Sequence, residues 1–552
     1  MKLRLISSAV LCALAAPSAF AALNAADAAD VAAIQGTERE LVLTGASAIQ
    51  NNLLNGLTSI CTGGVVRMDR DGNIRAYLCR SAAATTAYAG QNLLIHHNVV
   101  GGSLNSVLAT NTDPASTQRQ LIITDFSNCT FDAANNRYNT CGTIAGQTAT
   151  AQSMGGVSDV DPVAFAESTV YTPGAAYPVT VSAGAGAQVF SVVANTILYR
   201  HMQRQQGVTN ELGPVLPSSC YDGNAFDAAT GVYSLETPAN DLAGDDFAPA
   251  CQPNITKEAY ASLASSSPNA LKNGWAALLG AGITGPGNNL VKLCRRVATS
   301  GTQAASNLFF LNNPSSPAGK LAAAGGFTQT AAANGNVVGA TKFWWWANSG
   351  TGDVLDCLGN ANNGTGPDNT AASIPAALNG AASVGRHYAL GVVSAENDWR
   401  TQTNVLRQNF RFLKIDGNSP EEIGAYSAAR EPFGRVIDSD VRDQCAREAY
   451  SEGRYPFGYE FVIVRRTGLT AAQTDFIGDI LGEGLFSPLS AAAVAPSANC
   501  NTIADNPPRG IIAKPTTAAG VNHAANPTRV SKGTTAGNPY RSITFGAQGA
   551  EN

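Results

Sequence analysis

Apolar and polar positions along this chain fall into two kinds of short block, and the two kinds alternate. In RELVLTGASAIQNNLLNGLTSIC the run Leu41 to Leu43 is continuously apolar, a small-residue turn follows, and from about Ala48 apolar residues return at helical spacing. The pattern predicts strand, turn and amphipathic helix. NLLIHHNVVGGSLNSVLATN repeats it: a strand around Leu93 to Ile95, a turn at Gly101, Gly102 and Ser103, then a helix-like run. A third small-residue turn, in SMGGVSDVDPVAF, follows an insertion rich in Thr, Asn and Gln. The Ala/Asp stretch ahead of this series has no such pattern and reads as disordered.

Farther along, QVFSVVANTILYRHMQRQ from Gly186 has helical spacing, and ITKEAYASLASSSPNALKNGWAALLG reads as a helix with Trp275 in its tail. Between them residues 208–253, rich in Pro, Gly and Asp, form an irregular insertion. LCRRVATSGTQAASNLFF then gives an apolar approach, two arginines, a Ser-Gly-Thr turn and a helix. A Gly/Asn-rich region, 311–380, contains the aromatic run 343–346, which suits stacking on a sugar or another protein and, more commonly, a strand packed between layers. HYALGVV is a further strand, and RFLKIDGNSPEEIGAYSAAREPFG and REAYSEGRYPFGYEFVIVRR bring strand, turn, helix and strand again. The last 65 or so residues are Ala/Thr/Pro/Asn-rich with weak strand signals. Strands alternating with helices predict an α/β architecture.

Charge and cysteine usage place that architecture. Charged residues are 14% of the 552, against roughly 25% in an average soluble domain, and the net charge is −5. No Lys/Arg cluster is present to attract nucleic acid or an anionic membrane, so any anion must be captured by a local device. MKLRLISSAVLCALAAPSAFA has the basic start, apolar stretch and small residues of a secretory signal peptide, residues 1–21, cleaved near Ala21. No other apolar run approaches the roughly 20 residues that span a bilayer. Leu11 before Cys12 is not the small residue of a lipoprotein signal. The expected location is periplasmic or secreted.

Removing Cys12 leaves ten cysteines, an even number suited to disulfides in an oxidising compartment. Pairing neighbours closes the shortest loops: 61 with 79, 129 with 141, 220 with 251, 294 with 357, and 445 with 500. Asn135, Asn136 and Asn139 suit a turn pinned by the second pair. No two cysteines have the spacing of a zinc site, and neither a metal nor a cofactor is expected.

The Ser300-Gly301-Thr302 turn carries the clearest chemistry. The first N–H groups of a helix lack internal partners and sit at the positive end of its dipole, so they stabilise an oxyanion. Gly301 admits close approach, the hydroxyls of Ser300 and Thr302 add donors, and Arg296, four residues before Ser300, offers a bidentate charged pair. Alone, the same motif also describes a plain helix cap.

Several segments together resemble the periplasmic phosphate-binding proteins of the Pst-type ABC transporter. RRVATSGTQAASNLFFL resembles their anion loop, LTGASA their first strand and turn, GGSLNSV their second helix start, and GGVSDVDPVAF their Gly-Ala-Ser-Asp-x-Pro turn. ITKEAYASLASSSPNALKNGW, HYALGVV, KIDGNSP and SEGRYPFGYEF follow in the family's order. The resemblance covers about 38–485 and implies a type II periplasmic-binding-protein fold, two α/β lobes closing by hinge motion over a ligand. One lobe would combine 38–165 with 390–485, the other would be 166–389, and 486–552 would be a low-complexity extension.

Carried over by position, Arg296, Ser300, Gly301 and Thr302 match the anion-contacting arginine and turn, and Ser103 the second-loop serine. Asp159 matches the carboxylate that accepts a hydrogen bond from a protonated ligand oxygen, which favours hydrogen phosphate over sulfate; otherwise it caps the turn before Pro162. The resemblance implies a non-enzymatic, monomeric binding protein whose partners are inorganic phosphate or a related oxyanion and an ABC transporter membrane component. Two departures qualify it. Ile49 and Gln50 stand where the family has Thr-Phe, leaving Ser47 as a substitute, and Ala298 replaces an Asp that holds the arginine. Each lost charged hydrogen bond is worth roughly 1 to 3 kcal/mol, or signals another ligand. The altered first loop, long insertions and cysteines also suit a secreted structural or adhesion protein reusing the fold.

Other candidates carry less. MDRDGN has the Asp and Gly of a calcium loop but lacks its distal Glu, and an Asp71-Gly72 hairpin turn fits better. Strand alternation sends His96 and His97 to opposite faces, so one is expected to be exposed. Arg295 is expected to point away from Arg296, to solvent. No arrangement of catalytic residues stands out.

Overall fold

The computed structural model describes residues 23–82, 88–133, 136–165, 176–206, 252–264, 274–279, 291–311, 343–366, 385–395, 404–420 and 455–481, with single residues and short strand pairs elsewhere. Residues 1–21 lie outside it, as do Cys220, Cys251, Cys445 and Cys500. The architecture is mixed α/β, as the alternating pattern predicts.

In chain order the elements begin with α1 (Ala25–Ile34), β1 (Glu40–Gly45), α2 (Gln50–Ile60), β2 (Cys61–Asp69), β3 (Ile74–Ser81), β4 (Asn92–Asn98) and α3 (Asn105–Leu108). There follow β5 (Gln120–Ile123), β6 (Thr130–Asp132), β7 (Arg137–Asn139), β8 (Thr148–Ala151), β9 (Gly155–Ser158), β10 (Val179–Asn195) and α4 (Thr196–Gln206). The second half contains α5 (Lys257–Ala264), α6 (Ala276–Leu279), β11 (Val291–Arg296), α7 (Gly301–Leu311), β12 (Phe343–Asn348) and α8 (Thr351–Asn363). It continues with β13 (Ala389–Ser394), β14 (Phe410–Phe412), β15 (Gly458–Arg466), α9 (Ala471–Asp479) and β16 (Ile511–Ala513).

One continuous path of strands runs β12-β11-β13-β10-β15-β9-β1-β4-β3-β2-β7-β6. It contains two parallel blocks. β12, β11 and β13 are parallel, and so are β9, β1 and β4. Two antiparallel strands join the blocks: β10 pairs β13 at Phe190–Ala194 and β15 from Val179 to Val189, and β15 pairs β9. β16, from the C-terminal extension, adds to β10 at Gly186–Gln188.

Burial explains where the sequence pattern misleads. The predicted helix from Gly186 is strand as far as Asn195 and turns helical only at Thr196. Val189, Phe190, Val192, Val193 and Ala194 are all buried, because both faces of β10 are covered, and such a strand shows no period-2 alternation. The Ala/Asp stretch is the helix α1, whose Asn24 cap accepts the Asp27 N–H at 2.8 Å and which buries Val31 and Ile34. His96 and His97 do point to opposite faces, but both are buried, again because each face carries a layer. His96 Nε2 meets Glu40 at 2.9 Å. The helix expected after Ser103 is a single turn, Asn105–Leu108.

Three of the neighbouring cysteine pairs are joined: Cys61 with Cys79, Cys129 with Cys141, and Cys294 with Cys357. MDRDGN is the β2–β3 hairpin turn, with Asp71 Oδ1 accepting the N–H groups of Asn73 and Ile74 at 2.8 and 3.0 Å. Residues 343–346 lie on β12, at the flank of β11. Among the described residues no helix is long and apolar enough to cross a membrane.

Candidate functional site

In parallel sheets, side chains that follow the carboxyl ends of strands share one edge, where ligands bind. Here that edge collects most of the predicted residues. Ser103 follows β4, Asp159 follows β9 directly, Arg296 ends β11, and Ser300 to Thr302 open α7. The two blocks meet there: Leu104 N–H donates to Thr299 O at 3.0 Å, and a Cβ on Gly102 would lie 3.0 Å from Ser300 Cα.

The centre of the contact is Asp159. Ser103 Oγ donates to its Oδ2 at 3.0 Å and accepts its N–H at 3.3 Å. Its other oxygen, Oδ1, is buried and has no hydrogen-bond partner among the described residues. The side chain is 3% exposed. Burial raises its pKa to about 6, against the pull of the Ser103 bond and the Arg296 charge.

Gly301 closes one side. A Cβ at this position would stand 2.2 Å from Ser103 Oγ and 2.5 Å from Asp159 Oδ2, so only glycine lets the start of α7 come this close. That start is held from beneath. Ser300 N–H donates to Val297 O and Ala304 N–H to Ser300 O, both at 3.0 Å. The helix is buried along its length, with Phe310 against Tyr260 at 4.2 Å between ring centres and Phe309 stacked on Phe457 at 4.6 Å. Ser300, Gly301 and Thr302 are all buried.

Arg296 lies 3% exposed at the end of β11. Its Nη1 donates to Thr351 Oγ1 and its Nη2 to Ser349 O, both at 2.9 Å. Neither residue was expected at the site. Their signal was nevertheless present, since Ser349-Gly350-Thr351 repeats the Ser-Gly-Thr of 300–302 at the start of the next helix. Arg295, expected to point away from Arg296 to solvent, is half-buried. It is packed beside Tyr260, and burial pushes its pKa down to about 10, with the Tyr260 charge opposing.

Ser47 is the candidate left apart. It opens a short 3-10 turn after β1 and is half-buried. Among the described residues no hydrogen bond links it to Ser103, Asp159 or α7. The cluster therefore comprises one guanidinium, one carboxyl group with an unused oxygen, a serine hydroxyl and a helix N-terminus. Among the described residues no group of three or more His, Cys, Asp or Glu gathers to hold a metal.

No family model matches the sequence, and no curated protein matches it either. Among solved structures, a chain from Clostridium perfringens described as a phosphate ABC transporter substrate-binding protein with bound phosphate aligns over 82% of this chain and 96% of its own, at 10% identity and a TM-score of 0.31. An ABC-type phosphate transport receptor from Vibrio cholerae aligns over 57% of this chain and 74% of its own, at 10% identity and a TM-score of 0.23. Both superpositions are loose, and neither assigns a ligand to this chain.

Proposed function

We propose that this chain binds a tetrahedral oxyanion, phosphate or a close relative, at the edge where its two parallel blocks meet. In this reading 38–165 with 390–485 and 166–389 form two lobes that close about β10 and β15. The protein works outside the cytoplasm and delivers its ligand to an ABC-type membrane component. Arg296, the hydroxyls of Ser300 and Thr302 and the N-terminus of α7 supply positive charge and donors.

The observation that supports the reading most is the unused, buried Oδ1 of Asp159. A buried carboxyl oxygen costs free energy until it gains a donor. Hydrogen phosphate carries a proton to give it. Sulfate does not, and would face a repelling acceptor. Arsenate shares the proton and the shape of phosphate, so the two should compete.

Calorimetry on the folded chain with phosphate, arsenate and sulfate tests the proposal. Saturable phosphate and arsenate binding, with sulfate much weaker, is expected. Heats that do not saturate with any of the three would leave the structural or adhesion role as the better reading.

A further inference from the structure

The arginine of the candidate site is fixed by neutral groups from a neighbouring helix. A guanidinium presents its N–H donors in a rigid fork, so anchoring two of them sets where the charge points. In Arg296 the anchored pair is Nη1 on Thr351 Oγ1 and Nη2 on the Ser349 carbonyl, each at 2.9 Å. We propose that Thr351 is the positioning residue for Arg296 in oxyanion binding, in the place of the carboxylate that Ala298 does not provide.

The surrounding structure delivers Thr351 to that place. β11 and β12 run parallel with Arg296 opposite Asn348, so the turn leaving β12 passes beside the end of β11. Val297 N–H donates to Asn348 O at 3.0 Å and Asn348 Nδ2 to Arg295 O at 2.8 Å, which locks the two strand ends together. Asp353 shapes the turn, taking the Ser349 hydroxyl and the Gly350 N–H on Oδ2. Cys357, in the second turn of α8 after Thr351, is bonded to Cys294 on β11. The helix that carries the holder is thus tied covalently to the strand that carries the arginine.

A neutral holder has an electrostatic consequence. A carboxylate beside Arg296 would cancel part of its charge before any ligand arrived. Thr351 Oγ1 and Ser349 O orient the fork without adding a charge of their own. Among the described residues the Arg296 charge lowers the pKa of Asp159, across the contact between the blocks.

This inference rests on the oxyanion reading, and its test separates the two. Thr351→Val keeps the side-chain shape and removes the hydroxyl, and Thr351→Ser restores it. With inorganic phosphate titrated into the folded chain, Thr351→Val should weaken binding roughly tenfold to a hundredfold, the range of one lost charged hydrogen bond. Thr351→Ser should bind like the parent. In an Arg296→Lys background, which lacks the fork, Thr351→Val should add little. A parent that binds phosphate and a Thr351→Val variant that matches it would overturn the positioning role alone. So would an equal loss in both backgrounds. A parent that binds neither phosphate nor arsenate would overturn the oxyanion reading and this inference with it.

Discussion

Ser103 Oγ donates to Asp159 Oδ2 at 3.0 Å, and that bond decides which carboxyl oxygen is left over. Burial raises the Asp159 pKa from the ordinary 3.8 to about 6, against the Ser103 bond and the Arg296 charge. With the folded value above the unfolded one, the native state binds more protons between those pH values, and stability falls as pH rises through them. Keeping the ionised form buried at neutral pH costs roughly 3 kcal/mol. Asp159→Asn should therefore unfold at higher denaturant than the parent at pH 7, with the gap closing toward pH 4. Chemical denaturation across that range measures it, and a constant gap would contradict the assigned titration.

His97 acts in the opposite direction. Burial, with Arg75 adding to it, lowers its pKa from 6.5 to about 3, so the folded chain holds it neutral. The unfolded chain takes up a proton below 6.5, and the stability His97 contributes is lost as pH falls toward 3. His97→Gln should flatten the acid side of the stability profile by a few kcal/mol. The same denaturation series reads this, and an unchanged acid slope would show that His97 is not the group responsible.

Gly301 tests the contact between the blocks. Its backbone is ordinary helix, so an added methyl is penalised by approaches of 2.2 Å to Ser103 Oγ and 2.5 and 2.7 Å to Asp159 Oδ2 and Cβ. Gly301→Ala should cost about 1 to 3 kcal/mol through overpacking, and should reduce phosphate binding by displacing both groups. Thermal unfolding and a phosphate titration check the two effects. If stability and binding were both unchanged, the close approach would not exist in solution.

The disulfide between Cys294 and Cys357 closes 63 residues. In the chain-entropy view its removal costs about 4 kcal/mol. The double substitution to alanine should lower the denaturation midpoint accordingly. It should also weaken phosphate binding, because β11 and α8 lose the link that keeps Thr351 beside Arg296. A variant destabilised but unchanged in affinity would separate the link from the site.

Much of this arrangement is legible in the chain, and the exceptions have physical causes. β1, β4 and β13 announce themselves as apolar runs, and the small-residue turns after β4, β9 and β11 carry Ser103, Asp159 and Ser300 to one edge. β10 hides because a strand covered on both faces has the continuous apolar run of a buried helix. His96 and His97 sit on a strand whose second face is also covered, which single-strand alternation does not reveal. Asn24 turns an Ala/Asp stretch with few large apolar residues into a capped helix. Ser349-Gly350-Thr351 was readable as a second Ser-Gly-Thr helix start, but what it holds depends on β11 and β12 lying side by side. Strand order is a property of the assembled sheet.

The most direct test of the central claim is calorimetric titration of phosphate into the folded mature chain and into Arg296→Ala. The parent should bind saturably and with preference over sulfate, and Arg296→Ala should lose most of that affinity while remaining folded. A parent without saturable phosphate or arsenate binding, or an Arg296→Ala variant equal to it, would contradict the oxyanion site.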